Sequence, residues 1–282
     1  MPDPAARDAA EEASAFSHPA VPPDASAAYG AHPEQVVDFY APRDGRRSAP
    51  LVVALHGGAW RAPYDRRHLT PFTDFLARRG FAVANVEYRR GNGGLVAGRW
   101  PDTFDDVAAA LDAVPDLAAE ALPAADPRRI VLTGHSAGGH LALWAAARHV
   151  LPAGSPWRLP APPALRGVVA LAPIAHFGSA VELAVCGGAV GQLLGEEAEF
   201  SARAAHADPS LLLPTGIATT VVQGREDIVV PPAVAEAYVD AAARAGETVG
   251  FTLLEDAGHF PLIDPSADAC AVVAEEIAQL AW

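Results

Sequence analysis

Lysine is absent from this chain; all 20 residues of the lysine-plus-arginine count are arginines. That excludes Schiff-base catalysis, covalent attachment of pyridoxal phosphate and the lysine of a P-loop. Cysteine is nearly absent too. Cys186 and Cys270 form no C-x-x-C pair, which excludes zinc ribbons and thioredoxin-type redox chemistry. Two cysteines in 282 residues are expected to stay reduced. His, Cys and acidic residues nowhere fall at metal-ligand spacing. Gly91-Asn92-Gly93-Gly94 follows a strand pattern but lacks the full G-x-G-x-x-G, so it reads as a flexible loop. Neither a cofactor nor a metal is expected. No apolar run is long enough to span a membrane. Residues Met1 to Ser14 are alanine-rich and acidic without an apolar centre, unlike a signal peptide. A cytoplasmic location is therefore the default. Positive charge is also short: the net charge of −14 argues against nucleic acid and anionic membranes as partners.

What is present fits one large α/β domain. Half of the residues, 51%, are hydrophobic, enough for a sizeable core. Residues 1–35 are rich in Ala, Pro and acids with little periodicity, and read as a loosely ordered lead-in. From residue 36 to 282 strand and helix patterns alternate. Val36–Tyr40, Leu51–Leu55, Phe81–Val86, the run at Ile130, Gly167–Ala172, Thr219–Gln223 and Phe251–Leu254 read as strands. Helices are expected over 69–79, 102–117, after residue 136, over 232–245 and over 267–280. Such alternation predicts a mainly parallel central sheet flanked by helices, with an antiparallel edge strand possible at the start. Two stretches break the pattern. Residues 151–163 are proline-rich and read as a surface loop. Residues 176–213 follow a strand end and read as a small cap or lid insertion.

The chemistry centres on Gly134-His135-Ser136-Ala137-Gly138, set between the Ile130 strand and an apolar helix. A serine with glycine two residues away on each side, at a strand-to-helix turn, is the nucleophile-elbow pattern. A serine hydroxyl is a weak nucleophile and needs a base, usually a histidine oriented by a carboxylate. Asp227 and His259 each follow a strand, in the chain order that an elbow requires. Glu226 is the alternative acid. His135 reads as packing beneath the turn, while His140 and His149 read as packing or surface residues. An oxyanion needs backbone N–H donors. Ala137 supplies one, and His56-Gly57-Gly58-Ala59-Trp60 supplies the rest, with Gly58 and Ala59 ahead of Gly57. Trp60 either walls an acyl pocket or anchors its loop.

This constellation resembles the α/β-hydrolase superfamily, in its esterase/lipase branch with an H-G-G-x-W loop, and within it arylformamidases and bacterial carboxylesterases. The resemblance spans roughly Val36 to Trp282. It implies an α/β-hydrolase fold, Ser136 as nucleophile, Asp227 as acid and His259 as base, with no cofactor. The implied activity is cleavage of a small-molecule ester or amide, such as an aryl formamide, through an acyl-enzyme. A peptidase is the alternative reading, and a non-catalytic binding scaffold a more distant one. With no gating domain read ahead of the catalytic unit, small esters are expected over peptides.

Overall fold

The computed structural model describes residues 3–91, 93–195 and 197–282, so Asn92 of the glycine-rich loop lies outside the described residues. In chain order the elements are α1 (Pro4–Ala15), β1 (Ala25–Ala28), β2 (Val36–Tyr40), β3 (Ala49–Leu55), α2 (Thr70–Arg78), β4 (Ala82–Val86), α3 (Asp102–Ala121) and β5 (Ala125–His135). They continue with α4 (Ala137–Ala146), β6 (Gly167–Leu171), α5 (Phe177–Glu182), α6 (Val185–Leu194), α7 (Glu197–Ala207), β7 (Thr219–Gly224), α8 (Pro232–Arg244), β8 (Gly250–Leu254) and α9 (Asp268–Ala281).

The strands form one 8-stranded sheet in the order β1-β2-β4-β3-β5-β6-β7-β8. From β4 through β8 every pairing is parallel, while β1 and β2 add an antiparallel edge. This is the mainly parallel sheet that the sequence pattern predicts, and the α/β-hydrolase fold that the resemblance implies. Both faces of the sheet are dry, which explains why β3, β4 and β6 are buried throughout and read as continuous apolar runs. Alternate residues serve opposite cores. Val53, Leu55 and Leu132 join Phe104, Leu141 and Trp144 on one side. Val52, Ala54 and Val131 join Phe72, Leu76 and Ile277 on the other. The period-2 pleat thus sends each strand's side chains into two helix layers.

The expectation of a loose lead-in is corrected. Residues 4–15 form α1, and Ala25–Ala28 pairs with β2 from Ala25↔Phe39 to Ala28↔Val36. Pro4 starts the helix, where its missing N–H costs nothing. The helix is weakly amphipathic by itself, and its order comes from tertiary contacts described below. Residues 176–213 are more regular than a loop: they fold into α5, α6 and α7. A run of left-handed residues, Ala184, Cys186, Gly187 and Gly188, bends the chain where α6 begins.

Leu132 lies fully buried on β5 between β3 and β6. Leu132→Ala should cost about 2–5 kcal/mol of unfolding free energy in a urea titration. A cost below about 1 kcal/mol would contradict its place in a close-packed central strand.

Candidate active site

Parallel pairing sets the ends of β3 and β5 side by side, with Leu55 opposite Gly134. The chain then leaves β5 and enters α4 through a single residue, Ser136, at φ 58° and ψ −119°. A non-glycine residue there is strained, by about 1–3 kcal/mol. The turn is that tight because α4 is pressed against the end of β3. A Cβ built on Gly138 would stand 2.0 Å from the Leu55 carbonyl oxygen and 2.5 Å from that of His56. Glycine is required there by contact, not by dihedral.

The loop after β3 carries the second part. Gly58, Ala59 and Trp60 are successively left-handed, at φ 104°, 51° and 54°. A Cβ on Gly58 would fall 2.2 Å from Cβ of Tyr64, so the loop folds onto itself. His56 pins its base. Its ring nitrogens meet the Gly57 carbonyl and the Glu87 carboxylate, each at 2.9 Å, and its ring stacks on Tyr88 at 4.2 Å. The Tyr88 hydroxyl donates to the His56 carbonyl at 2.6 Å. Burial alone would raise the Glu87 carboxyl, but His56, Arg90 and the Arg66 amide hold it down at about 2. Among the described residues, the amides of Gly58 and Ala59, and that of Ala137 at the start of α4, meet no backbone acceptor. Ala137 also stands at the positive end of the α4 dipole.

The third part comes from the far side of the sheet. Asp227 follows β7 and His259 follows β8. His259 Nδ1 donates to Asp227 Oδ2 at 2.7 Å. The other Asp227 oxygen accepts the amides of Val229 and Val230 at 2.9 and 2.8 Å, and Gln223 Nε2 donates to Oδ2 at 3.1 Å. The carboxylate is therefore saturated with donors, as a buried charge must be. With Nδ1 carrying its proton toward Asp227, Nε2 of His259 is left for other work. Ser136, Asp227 and His259 are only 3%, 3% and 2% exposed. Ser136 and His259 border the same cavity of about 250 Å³, together with Gly58 and Ala59. No hydrogen bond yet joins Ser136 Oγ to His259, a common looseness in sites without substrate.

The competing residues take other partners. Glu226 faces Arg7 at 3.5 Å in an exposed position. His135 donates from Nε2 to the His259 carbonyl at 3.0 Å, and it also borders the cavity. His140 reaches the Ala207 carbonyl and His149 that of Thr215. Trp60 is corrected as a substrate-binding residue. It is fully buried, set edge-on to His140 and Phe177, and does not border the cavity. It anchors its loop. Residues that the sequence reading did not single out do border the cavity: Asp8 and Glu12 from α1, Phe16 just past its end, and Arg61, Tyr64 and His68 after the glycine loop. The spacing of 8, 12 and 16 marks one helical face and was the available signal. Among the described residues no group of three or more His, Cys, Asp or Glu could hold a metal ion. No described helix is long and apolar enough to cross a membrane.

Comparison with known proteins places this geometry. A family model described as BD-FAE matches residues 37–241, well over half of the chain. The chain belongs to the BD-FAE family. In sequence it is similar to a rice (Oryza sativa subsp. japonica) protein described as probable isoprenylcysteine alpha-carbonyl methylesterase ICME, at 32% identity over 124 residues, 42% of this chain and 27% of that one. A Mycobacterium tuberculosis protein described as probable carboxylic ester hydrolase LipM is 35% identical over 99 residues, 35% of this chain and 22% of that one. The chain thus aligns with only about a quarter of the length of these curated relatives. In structure it is similar to esterase B from Lactobacillus rhamnosis, with a TM-score of 0.76 at 20% identity over 98% of this chain and 91% of that one. A truncated carbohydrate esterase from gut microbiota gives 0.73 at 19% identity, over 91% and 96%. At these identities the structures speak for the shared fold.

The elbow contact gives a direct test. Gly138→Ala should cost about 2–3 kcal/mol or more through overpacking. Gly154→Ala, where a Cβ would meet nothing within 4 Å, should change stability by less than about 0.5 kcal/mol. Chemical denaturation of both variants checks the difference, and equal stabilities would refute the contact. A second test uses the buried imidazoles. Burial pushes His140 down to about 4, and pushes His135 well below the ordinary range with His259 adding to the effect. The unfolded chain therefore binds protons that the folded one does not between pH about 6.5 and about 4. Unfolding free energy should fall as pH falls through that window, by up to about 1.4 kcal/mol per unit for each such histidine. A stability that stays flat across the window in urea titrations would count against these histidines being neutral.

Proposed function

We propose that this chain is a serine hydrolase of small carboxylic esters. Ser136 is the nucleophile, His259 the base and Asp227 the acid that orients it. The amides of Ala137, Gly58 and Ala59 hold the oxyanion, and residues 176–213 cap the site with Cys186 on the cavity. The carrying observation is the buried 2.7 Å His259–Asp227 contact opening on the same small cavity as the strained Ser136.

The chemistry follows from the positions. His259 Nε2 takes the Ser136 proton as the hydroxyl attacks the ester carbonyl. The carbonyl oxygen becomes an oxyanion between fixed amides, each worth about 2.7–4 kcal/mol in the barrier. His259 then passes its proton to the departing alkoxide, leaving an acyl-enzyme on Ser136. Water, deprotonated by the same imidazole, attacks that acyl group, and the acid product leaves as Ser136 regains its proton. Asp227 stays ionised throughout and steadies the imidazolium. The cavity of about 250 Å³ fits a small acyl or alcohol group, and the similar rice and Mycobacterium tuberculosis proteins are described as ester hydrolases. Aryl formamides, the finer class suggested by the resemblance, would need His259 to protonate a poorer nitrogen leaving group.

The test is turnover of a short p-nitrophenyl ester beside an aryl formamide and a dipeptide amide. Ester turnover should lead the three. Ser136→Ala should abolish it and block labelling by a fluorophosphonate. Asp227→Asn should lower kcat by about 10³–10⁴-fold, because it upsets the histidine tautomer. Full ester turnover in Ser136→Ala would remove the proposal.

A further inference from the structure

Helix α1 is tied to the loop that carries His259. Ser14 Oγ donates to Asp264 Oδ2 at 2.6 Å, and His18 Nε2 lies 2.7 Å from Asp264 Oδ1. Phe16 sets its ring edge-on to that of Phe260, with centroids 5.5 Å apart. The closest tie is to the backbone next to the histidine itself. The Gly258 amide donates to Glu11 Oε1 at 3.3 Å. A Cβ on Gly258 would fall 2.1 Å from Glu11 Oε2, so the carboxylate rests on a bare α-carbon. That oxygen is buried and has no partner among the described residues.

We propose that α1 is a working wall of the cavity and that Glu11 is a positioning residue, fixing the Gly258–His259 corner so that the imidazole meets Ser136. The proposal rests on the Ser136–His259–Asp227 reading above. Its physical basis is the number of points needed to hold a ring. Asp227 holds Nδ1 alone, and a ring held at one nitrogen still pivots about that bond unless its backbone is fixed. His135 holds the His259 carbonyl at 3.0 Å, and Glu11 holds the amide just before it. Together these are three anchors on three sides. A carboxylate is a stronger hydrogen-bond acceptor for that N–H than a neutral group would be. The arrangement carries a cost, since a buried carboxylate oxygen without a partner is unfavourable. Consistent with that cost, burial raises the Glu11 carboxyl above its ordinary range.

The experiment uses the full chain and a short p-nitrophenyl ester. Glu11→Met keeps the side-chain length and removes the acceptor; Glu11→Gln keeps an acceptor oxygen. Glu11→Met should lower kcat about tenfold with KM within about twofold, and slow fluorophosphonate labelling in parallel. Glu11→Gln should recover most of kcat. Wild-type kcat in Glu11→Met overturns the proposal, and so does Glu11→Gln falling as far as Glu11→Met. If Glu11→Met does not fold, Gly258→Ala is read in its place. It drives a methyl against the same carboxylate and should lose kcat likewise, and an unchanged kcat there overturns the proposal. The two readings fail separately. Turnover that survives Ser136→Ala defeats the catalytic reading, whereas Ser136-dependent turnover untouched by Glu11→Met defeats the positioning role alone.

Discussion

The site depends on one contact, the first turn of α4 against the end of β3. Where Gly138 meets the Leu55 and His56 carbonyls there is no room for a methyl group. Because β3 and β5 end level, this contact forces the chain through the strained geometry of Ser136. It also sets the distance between that serine and the Gly58–Ala59 amides, since the glycine loop starts where β3 stops. The proposed nucleophile and its oxyanion donors therefore share one determinant. A shift that relaxed the turn would displace both, so the packing of α4 between β3 and β6 holds the strain in place.

Behind the loop lies charge where an apolar core would be ordinary. Glu87 takes His56 at 2.9 Å and Arg90 at 2.7 Å, and Arg66 bridges Glu87 to Asp38. Buried pairs of this kind add little net stability, because desolvation offsets their attraction. What they add is direction. A leucine in place of His56 could fill the space, but it would take away the ring donor to the Gly57 carbonyl and one of the donors to the Glu87 carboxylate. The ring is held between Tyr88 on its face and acceptors at both nitrogens, which leaves the glycine loop one conformation. The same logic governs Asp227, whose donors are two amides, one glutamine and one imidazole. In both places preorganisation is obtained through satisfied polar groups.

These features differ in how far the chain alone discloses them. The inner parallel strands were legible because burial on both faces makes them largely apolar, while β8, only half-buried, was read from a short apolar run; strand ends fell within a residue or two of expectation, except β5, which starts earlier, at Ala125. Ser136, Asp227 and His259, the triad proposed above, can be picked out in the sequence because each sits just past a strand, where short-range pattern decides. Trp60 was ambiguous because an indole suits a pocket wall and a loop anchor equally. Only its neighbours His140 and Phe177, far away in sequence, decide for the anchor. Helix α1 was missed because its reason to fold is not local. Its partners are Gly258, Phe260 and Asp264, more than two hundred residues away. Likewise β1 is four residues of alanine and serine, ordered by pairing with β2 rather than by propensity.

The family match ends before the site does. Residues 37–241 enclose the glycine loop, the elbow and Asp227. His259 and α1 lie outside that stretch, yet both border the same cavity, and α1 meets the backbone of Gly258 just before the histidine. The flanking segments thus contribute both the histidine proposed as the base, which follows the last strand, and a wall of the cavity. The likeness to esterase B extends over 98% of this chain at 20% identity, so a common backbone leaves most wall residues free to differ. Here that wall places Asp8 and Glu12 in a cavity that also holds Arg61, whose guanidinium donates to the Cys186 carbonyl. On the proposed reading, substrate choice would follow from a few charged side chains on flanking and loop segments, and bond cleavage from groups set at the sheet's edge. Two proteins can share the second without sharing the first, so a common fold leaves the substrate open.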